Sequence, residues 1–217
     1  MKKHNFTMIE LMIVLAILMI LLCLLLPALN KANARAIQNS CTGNQKQIMQ
    51  AVMLYCSDFD DRTPPLNLAE SFSGSNPSRS RNWWSNLLIR SKYLPEPKVW
   101  ISEIEGKSGS GVLVCPASGT ENRTIGIYAS VTYGVGYQVS LLLSRIQDAS
   151  SRVLIGDTRG SISFYSPKTT PWTDTLPQSF DPRHTGGSVA GFLDGHIEYR
   201  PYSAWLAAKR RCFGPQD

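Results

Sequence analysis

Charge and histidine are both scarce in this chain: Asp, Glu, Lys and Arg make up 18% of its 217 residues, and histidine occurs three times, at His4, His184 and His196. Neither a G-x-S-x-G elbow nor a cysteine-protease signature surrounds its serines and cysteines, so nucleophilic catalysis finds little support and no enzymatic activity is expected. Internal repeats and nucleic-acid-binding motifs are also missing. The formal charge of +6 is dispersed, and its one basic run, Lys209-Arg210-Arg211, reads as a solvated tail, with attraction to anionic lipid or nucleic acid the minor reading. Asp58-Phe59-Asp60-Asp61 lacks the glycine and the distal Glu of an EF-hand loop. Calcium is therefore a minor reading there, and a solvated helix end the main one. No cofactor and no metal site is assigned from sequence.

What the chain does have is one long apolar run. The short basic leader Met1-Lys2-Lys3-His4-Asn5 precedes a block ending at Pro27, with about twenty apolar residues, enough to span a bilayer as a helix at ~1.5 Å per residue. Glu10 stands near the start of that block. A carboxylate at the centre of a membrane helix costs roughly 2.5–3.5 kcal/mol, so it calls for a partner. Cutting the chain before Phe6 would create an amine one turn away, on the same subunit or on a neighbour. Beyond Pro27 the pattern turns amphipathic, with Ala36, Ile37, Cys41, Ile48, Ala51, Val52 and Tyr55 largely at three-four spacing and Gly43 as a weak point. One helix continuous with the span is expected, about fifty residues and ~75 Å long, its stripe covered by the C-terminal half. A plain anchor is one alternative. A secretory signal peptide is another, because Ala32-Asn33-Ala34 and Ala34-Arg35-Ala36 are both small-x-small. Basic residues on both sides (Lys2 and Lys3; Lys31, Arg35 and Lys46) leave the orientation open by charge.

The rest of the chain reads as a mixed domain. Asp58 to Arg81 is loop by composition, Trp83 to Tyr93 a short helix stopped by Pro95, and Ser108 to Gly111 a loop. Strands are expected at Val112–Cys115, within Ile125–Tyr137 and at Arg152–Ile155. Ser188–Leu193 and His196–Tyr199 flank Asp194-Gly195, a type I′ hairpin signal. That register sets Leu193 opposite His196 and Phe192 opposite Ile197, with Ala190, Phe192, Ile197 and Tyr199 facing the long helix. His184, Asp194 and His196, with Asp157 from a neighbouring strand end, offer donors that suit zinc if they converge. A hydrogen-bonded structural cluster of His184, Asp194, Gly195 and His196 is the preferred reading. Trp83, Trp84, Trp100, Trp172 and Trp205 are core residues or sugar-stacking platforms. Cys23 lies in the apolar span, and Cys41 and Cys56 stand more than ~20 Å apart on one helix, too far to bond.

Phe6-Thr7-Met8-Ile9-Glu10, running into Leu11–Ile17, resembles the processing site and hydrophobic helix of type IV prepilins and type II secretion pseudopilins. The resemblance implies cleavage between Asn5 and Phe6, although the family's peptidase prefers Gly where Asn5 stands. It further implies N-methylation of Phe6, Glu10 as an assembly residue at the fifth mature position, and Pro27 as a helix-loosening proline. The implied fold is α+β and pilin-like, a long N-terminal helix, its first half transmembrane, packed on a small antiparallel β-sheet. Its organisation would be a leader at 1–5, a transmembrane helix at 6–29, the extramembrane half of that helix at 30–60, and a globular head at 61–217. The implied partners are identical or related pilin subunits, a prepilin peptidase and an inner-membrane assembly platform, and no nucleic acid. The head would be periplasmic.

A second resemblance covers later positions. His184, nine intervening residues and Asp194-Gly195 are similar to the motif of a large prepilin-like family of planctomycete- and lentisphaera-type bacteria. Cys41–Gln47 with Tyr55 and Asp58-Phe59-Asp60, Trp84–Leu94, Cys115-Pro116, Tyr133-Gly134 and Ile155-Gly156-Asp157 resemble its other landmarks. Cys41 and Cys115 both stand at landmarks, which makes them the implied disulfide pair, and free thiols are the other reading. The rival function is a membrane-tethered or secreted, non-polymerising head that binds carbohydrate or protein.

Overall fold

The computed structural model describes residues 7–65, 84–96, 111–118, 123–128, 142–159, 163–164, 181–208 and 211–212. Asn5, Phe6, Trp83, Trp100, Trp172 and Tyr133-Gly134 lie outside the described residues. The chain divides into two compact units, Met1–Ile37 and Gln38–Asp217. One helix, α1 (Met8–Asp58), runs through both without a break at Pro27.

In the first unit every described residue from Thr7 to Asn33 is exposed, large apolar side chains included. A helix this apolar with nothing packed on it suits hydrocarbon, and it is long and apolar enough to cross a membrane. Burial begins later, at Cys41, and recurs at Gln45, Ile48, Met49, Ala51, Val52, Tyr55 and Cys56. These positions follow the expected stripe except at its start, where Ala36 is exposed and Ile37 half-buried.

The second unit packs that stripe against a five-stranded sheet of order β3-β1-β2-β4-β5. Its strands are β1 (Arg123–Tyr128), β2 (Val153–Arg159), β3 (Ser163–Phe164), β4 (Gly187–Phe192) and β5 (Ile197–Pro201). β1, β2, β4 and β5 pair antiparallel, and the short edge strand β3 pairs parallel with β1. Together the apolar N-terminal helix and the small sheet make an α+β, pilin-like layout. A short helix, α2 (Trp84–Arg90), buries Trp84 and Leu88 in the same core as Ile48, Val52, Leu154 and Ile155. It ends before Pro95 is reached. Lys92 takes a positive φ of 62°, while the amides of Lys92 and Tyr93 donate to the carbonyls of Ile89 and Leu88, the bonding pattern of a Schellman cap. α3 (Tyr202–Ala207) follows β5 and buries Trp205.

Three sequence expectations need correction. Val112–Cys115 is not a strand: a turn and a single bridge residue at Val114 lead into the 3-10 turn Pro116–Ser118. β2 does not stop at Gly156 but continues through Asp157 to Arg159. The terminal hairpin is one residue out of the expected register, pairing Gly191 with Ile197 and Ala190 with Glu198. Its turn is not type I′. The Gly195 amide donates to the Phe192 carbonyl, the Phe192 amide to the His196 carbonyl, and Gly195 has a φ of 94°, a three-residue loop with a G1 bulge. Because side chains alternate along a strand, this slip changes the face of half the expected set. Gly191 lies against Met49 of α1, with Ile155 and Ile197 also beside it. Phe192 stacks instead on His196 and Trp205, with the Arg200 guanidinium over both the Phe192 and Trp205 rings.

Candidate functional site

Among the described residues, two places carry chemistry. The first is the start of α1. The Thr7 amide and hydroxyl both donate to Glu10 Oε2, at 2.8 and 2.6 Å, and the Glu10 amide lies 3.4 Å from Thr7 Oγ1. This is a capping box: the T-x-x-E spacing satisfies two orphan amides of the first helical turn reciprocally. The T-x-x-E spacing ahead of an apolar run is the sequence signal for it. The box uses no residue before Thr7, so a cut between Asn5 and Phe6 would leave it intact.

The second place lies inside the head, where α1, β2, the segment before Pro116 and the turn before β4 converge. Cys41 and Gln45, four apart on α1, share one helix face. Asn44 donates to the Val114 carbonyl at 3.2 Å, which sets Cys115 beside that face. Asp157 comes from the part of β2 beyond its expected end. His184 is fixed by a two-residue turn: its amide and carbonyl exchange 2.8 Å hydrogen bonds with Gly187, and Thr185 and Gly186 between them have φ of 48° and 80°. Positive φ at both central residues is the type I′ signature. It occurs here and not at Asp194-Gly195.

The ligand atoms of Cys41, Cys115, Asp157 and His184 all lie within 4.8 Å of one another, and all four residues are buried. His184 Nε2 faces both Cys115 Sγ at 3.2 Å and Asp157 Oδ2 at 3.3 Å. The Cys41 thiol donates to Asp157 Oδ1 at 3.3 Å. Asp157 is held in turn by Gln45 Nε2 at 3.2 Å on Oδ1, and by the Val189 amide at 3.2 Å and Ser188 Oγ at 3.3 Å on Oδ2. Gln45 also donates to the Val189 carbonyl at 3.0 Å, which fixes its amide orientation.

Electrostatics divides the two thiols. A hydrogen bond from Cys41, helped by His184, brings the Cys115 thiol down to about 5 against its burial. The hydrogen bond to Cys115, burial and the Asp157 charge all push Cys41 up. Burial opposes a charge on His184, but hydrogen bonds to Asp157 and Cys115, with their negative charge, lift the ring to about 9. Both shifts favour a Cys115 thiolate against a His184 imidazolium.

The cluster expected around His184 is split by the fold. Asp194 and His196 form their own pair at the hairpin tip, 2.5 Å between Oδ1 and Nδ1, and are partly exposed. β4 separates them from His184. The implied Cys41–Cys115 pair are neighbours in this cluster, both as free thiols. Gln45 is fully buried although nothing in its local sequence pattern marks it so. In the acidic cluster, Asp58 accepts from the Tyr93 hydroxyl at 2.5 Å and Asp61 from the Ser144 amide at 2.8 Å. Trp84 and Trp205 are fully buried and are core residues, not sugar platforms.

Residues 2–25 match the family model of the prokaryotic N-terminal methylation motif. The chain thus carries a prepilin-type segment, which with the apolar helix fits a membrane-anchored protein. Neither the curated proteins nor the solved structures gave a match.

Proposed function

We propose that the protein is a structural subunit of a type IV pilus-like or type II secretion pseudopilus-like filament. The observation that carries this reading is the methylation motif over residues 2–25, on an apolar helix with a single carboxylate, Glu10, in its first turn. Prepilin peptidase would cut between Asn5 and Phe6 and the new Phe6 amine would be methylated. The chain would wait in the inner membrane with its head in the periplasm, then join identical or related subunits through an assembly platform. Glu10 would have two tasks, capping its own helix through Thr7 and neutralising an N-terminal amine in the filament core, where the low dielectric strengthens the pair. The head would be non-enzymatic. Its His184, nine-residue interval and Asp194-Gly195 support placing it among the prepilin-like proteins of planctomycete- and lentisphaera-type bacteria.

The two tasks of Glu10 are separable by substitution. Gln serves as well as Glu at the third helical position of a capping box, so Glu10→Gln should keep the helix start and lose the charge. Thr7→Ala should do the reverse, costing roughly 0.5–2 kcal/mol at the cap while leaving the carboxylate. Mass spectrometry of the chain recovered from membranes should find N-methyl-Phe6 at its start. Electron microscopy should find filaments with Thr7→Ala and none with Glu10→Gln. An intact Met1, or filaments built from Glu10→Gln, would overturn the assignment.

A further inference from the structure

We propose that Cys41, Cys115, Asp157 and His184 together bind one borderline-soft divalent cation of the zinc type, as a closed structural site that ties α1 to the sheet. Four side chains of the right kinds, drawn from four separate segments, turn one donor atom each into a common point. A tetrahedral zinc ion with ligand bonds of ~2.0–2.3 Å has ligand–ligand edges of roughly 3.3–3.8 Å. Cys115 Sγ and His184 Nε2 stand 3.2 Å apart, His184 Nε2 is 3.3 Å from Asp157 Oδ2, Cys41 Sγ is 3.3 Å from the other oxygen, Oδ1, and one donor atom from each of the four residues lies within 4.8 Å of the others. Shifts of a few tenths of an ångström to about an ångström would admit the ion.

The donor chemistry selects the metal class. Two sulfurs with an imidazole and a carboxylate suit zinc, whereas calcium and magnesium take oxygen ligands. On binding, thiol and imidazolium protons leave to water and the sulfurs and Nε2 bind as electron-pair donors. Two thiolates and one carboxylate then face two positive charges, leaving a single net charge inside the head.

The surroundings are those of a supported site. Gln45, Ser188 and the Val189 amide hold the Asp157 carboxylate, as outer groups do for metal-binding carboxylates. The type I′ turn that presents His184 forces a β-branched residue, Thr185, to positive φ. Such strain persists where surrounding structure over-determines it, and it clusters at functional sites. A Cys115–His184–Asp157 set also has the residue types of a nucleophilic triad. Cys115 is 0% exposed and His184 3%, however, so a substrate has no approach. A closed four-ligand shell is the arrangement of a structural ion.

The test uses the full-length chain in detergent. Purified without chelator from zinc-supplemented cells, it should contain about one equivalent of divalent metal by elemental analysis. X-ray absorption should show two sulfur and two nitrogen or oxygen neighbours. After chelation, cobalt(II) should restore a tetrahedral visible spectrum with a sulfur-to-cobalt charge-transfer band. Ser188→Ala, which removes only an outer hydrogen bond, should weaken cobalt(II) binding by about 10–100-fold. Cys115→Ser and His184→Ala should abolish the spectrum, and His196→Ala at the hairpin tip should leave it unchanged. Metal-free wild-type protein that takes up no cobalt(II), or a Cys41–Cys115 disulfide found by peptide mass, would overturn the proposal. Because metal content is read on unaltered protein, a variant that fails to fold does not rescue the idea. Filament assembly plays no part in the readout.

Discussion

Asp157→Asn is the substitution whose effect the head's geometry defines best. The aspartate is 0% exposed. Gln45 and Cys41 donate to its Oδ1, the Val189 amide and Ser188 donate to its Oδ2, and His184 Nε2 stands 3.3 Å from Oδ2. Every surrounding group is a donor, so an asparagine of the same shape must turn its NH2 toward one set or the other. If the NH2 takes the Oδ1 place, it confronts Gln45 Nε2, which is anchored by the Val189 carbonyl. If it takes the Oδ2 place, it confronts the Val189 amide and the His184 ring. Either choice leaves buried N–H groups face to face, at about 1–3 kcal/mol for each donor left unmade. It also removes the charge opposite His184. Breaking one side of a buried ionic pair costs roughly 3–5 kcal/mol. For a chain of this size each kcal/mol moves the melting point by roughly 2–4 °C, so the loss should be about 6–20 °C. The assay is thermal unfolding followed by near-UV circular dichroism of the full-length chain in detergent. Chelator is present throughout, so that the hydrogen-bond cradle alone is read. Ser188→Ala, which removes a single donor, should cost about 1 kcal/mol. A melting point for Asp157→Asn within about 3 °C of wild type, no more than one such bond is worth, would refute the reasoning.

Other perturbations follow from single positions. Thr185→Asn should stabilise the head by about 1 kcal/mol, because Asn tolerates the left-handed backbone that Thr185 adopts, and a lower melting point would contradict this. Gly187→Ala should destabilise by about 1–3 kcal/mol, since its new Cβ collides with the Arg200 carbonyl oxygen and the Tyr199 ring across the β4–β5 ladder. A wild-type urea midpoint would show that the ladder yields freely. The Tyr93 phenol, bonded to Asp58, partly desolvated and beside its negative charge, is pushed up to about 12 from 10.0. Its protonated form is the one favoured by folding, so its contribution is complete below pH ~10 and fades as pH rises toward ~12. Phenolate absorbance should show that late titration, and Asp58→Asn should return it toward 10.0. An unchanged titration in that variant would remove Asp58 as the cause.

The long helix was legible because its signal is redundant. About twenty apolar residues followed by a three-four stripe leave few other structures open, and Pro27 lies inside a helix that continues through it. Register was not legible. Asp194-Gly195 satisfies both a type I′ turn and a type I turn with a G1 bulge, and the two differ by one residue in pairing. Choosing the first turned Phe192 toward α1, when its ring belongs with His196 and Trp205. The actual type I′ turn was hidden because Thr185 is a poor residue for it. The buried cluster inherited this difficulty. The sequence reading pairs His184 with Asp157 and Cys41 with Cys115, but the meeting of all four depends on β2 running past Gly156 and on the turn that aims His184 inward. Local patterns carry neither fact. Gln45 was hidden for a different reason, since a glutamine on an amphipathic helix reads as solvent-facing until a carboxylate opposite it is known.

The nine-residue interval between His184 and Asp194 has a structural meaning. Two turn residues, Thr185 and Gly186, the six residues of β4 and Leu193 fill it completely. The motif therefore measures one strand, with the buried cluster at one end and a bulged turn at the other. β4 rises ~3.3 Å per residue, so the two ends stand roughly 20 Å apart, too far for His184 and His196 to share one ligand. The histidine serves the interior, where it meets Cys115 and Asp157. The Asp-Gly pair serves the register, which brings Gly191 under Met49 and lets α1 approach the sheet. Adding or deleting one residue in β4 would carry every later side chain to the opposite face. It would leave either His184 outside the cluster or Gly191 away from the helix.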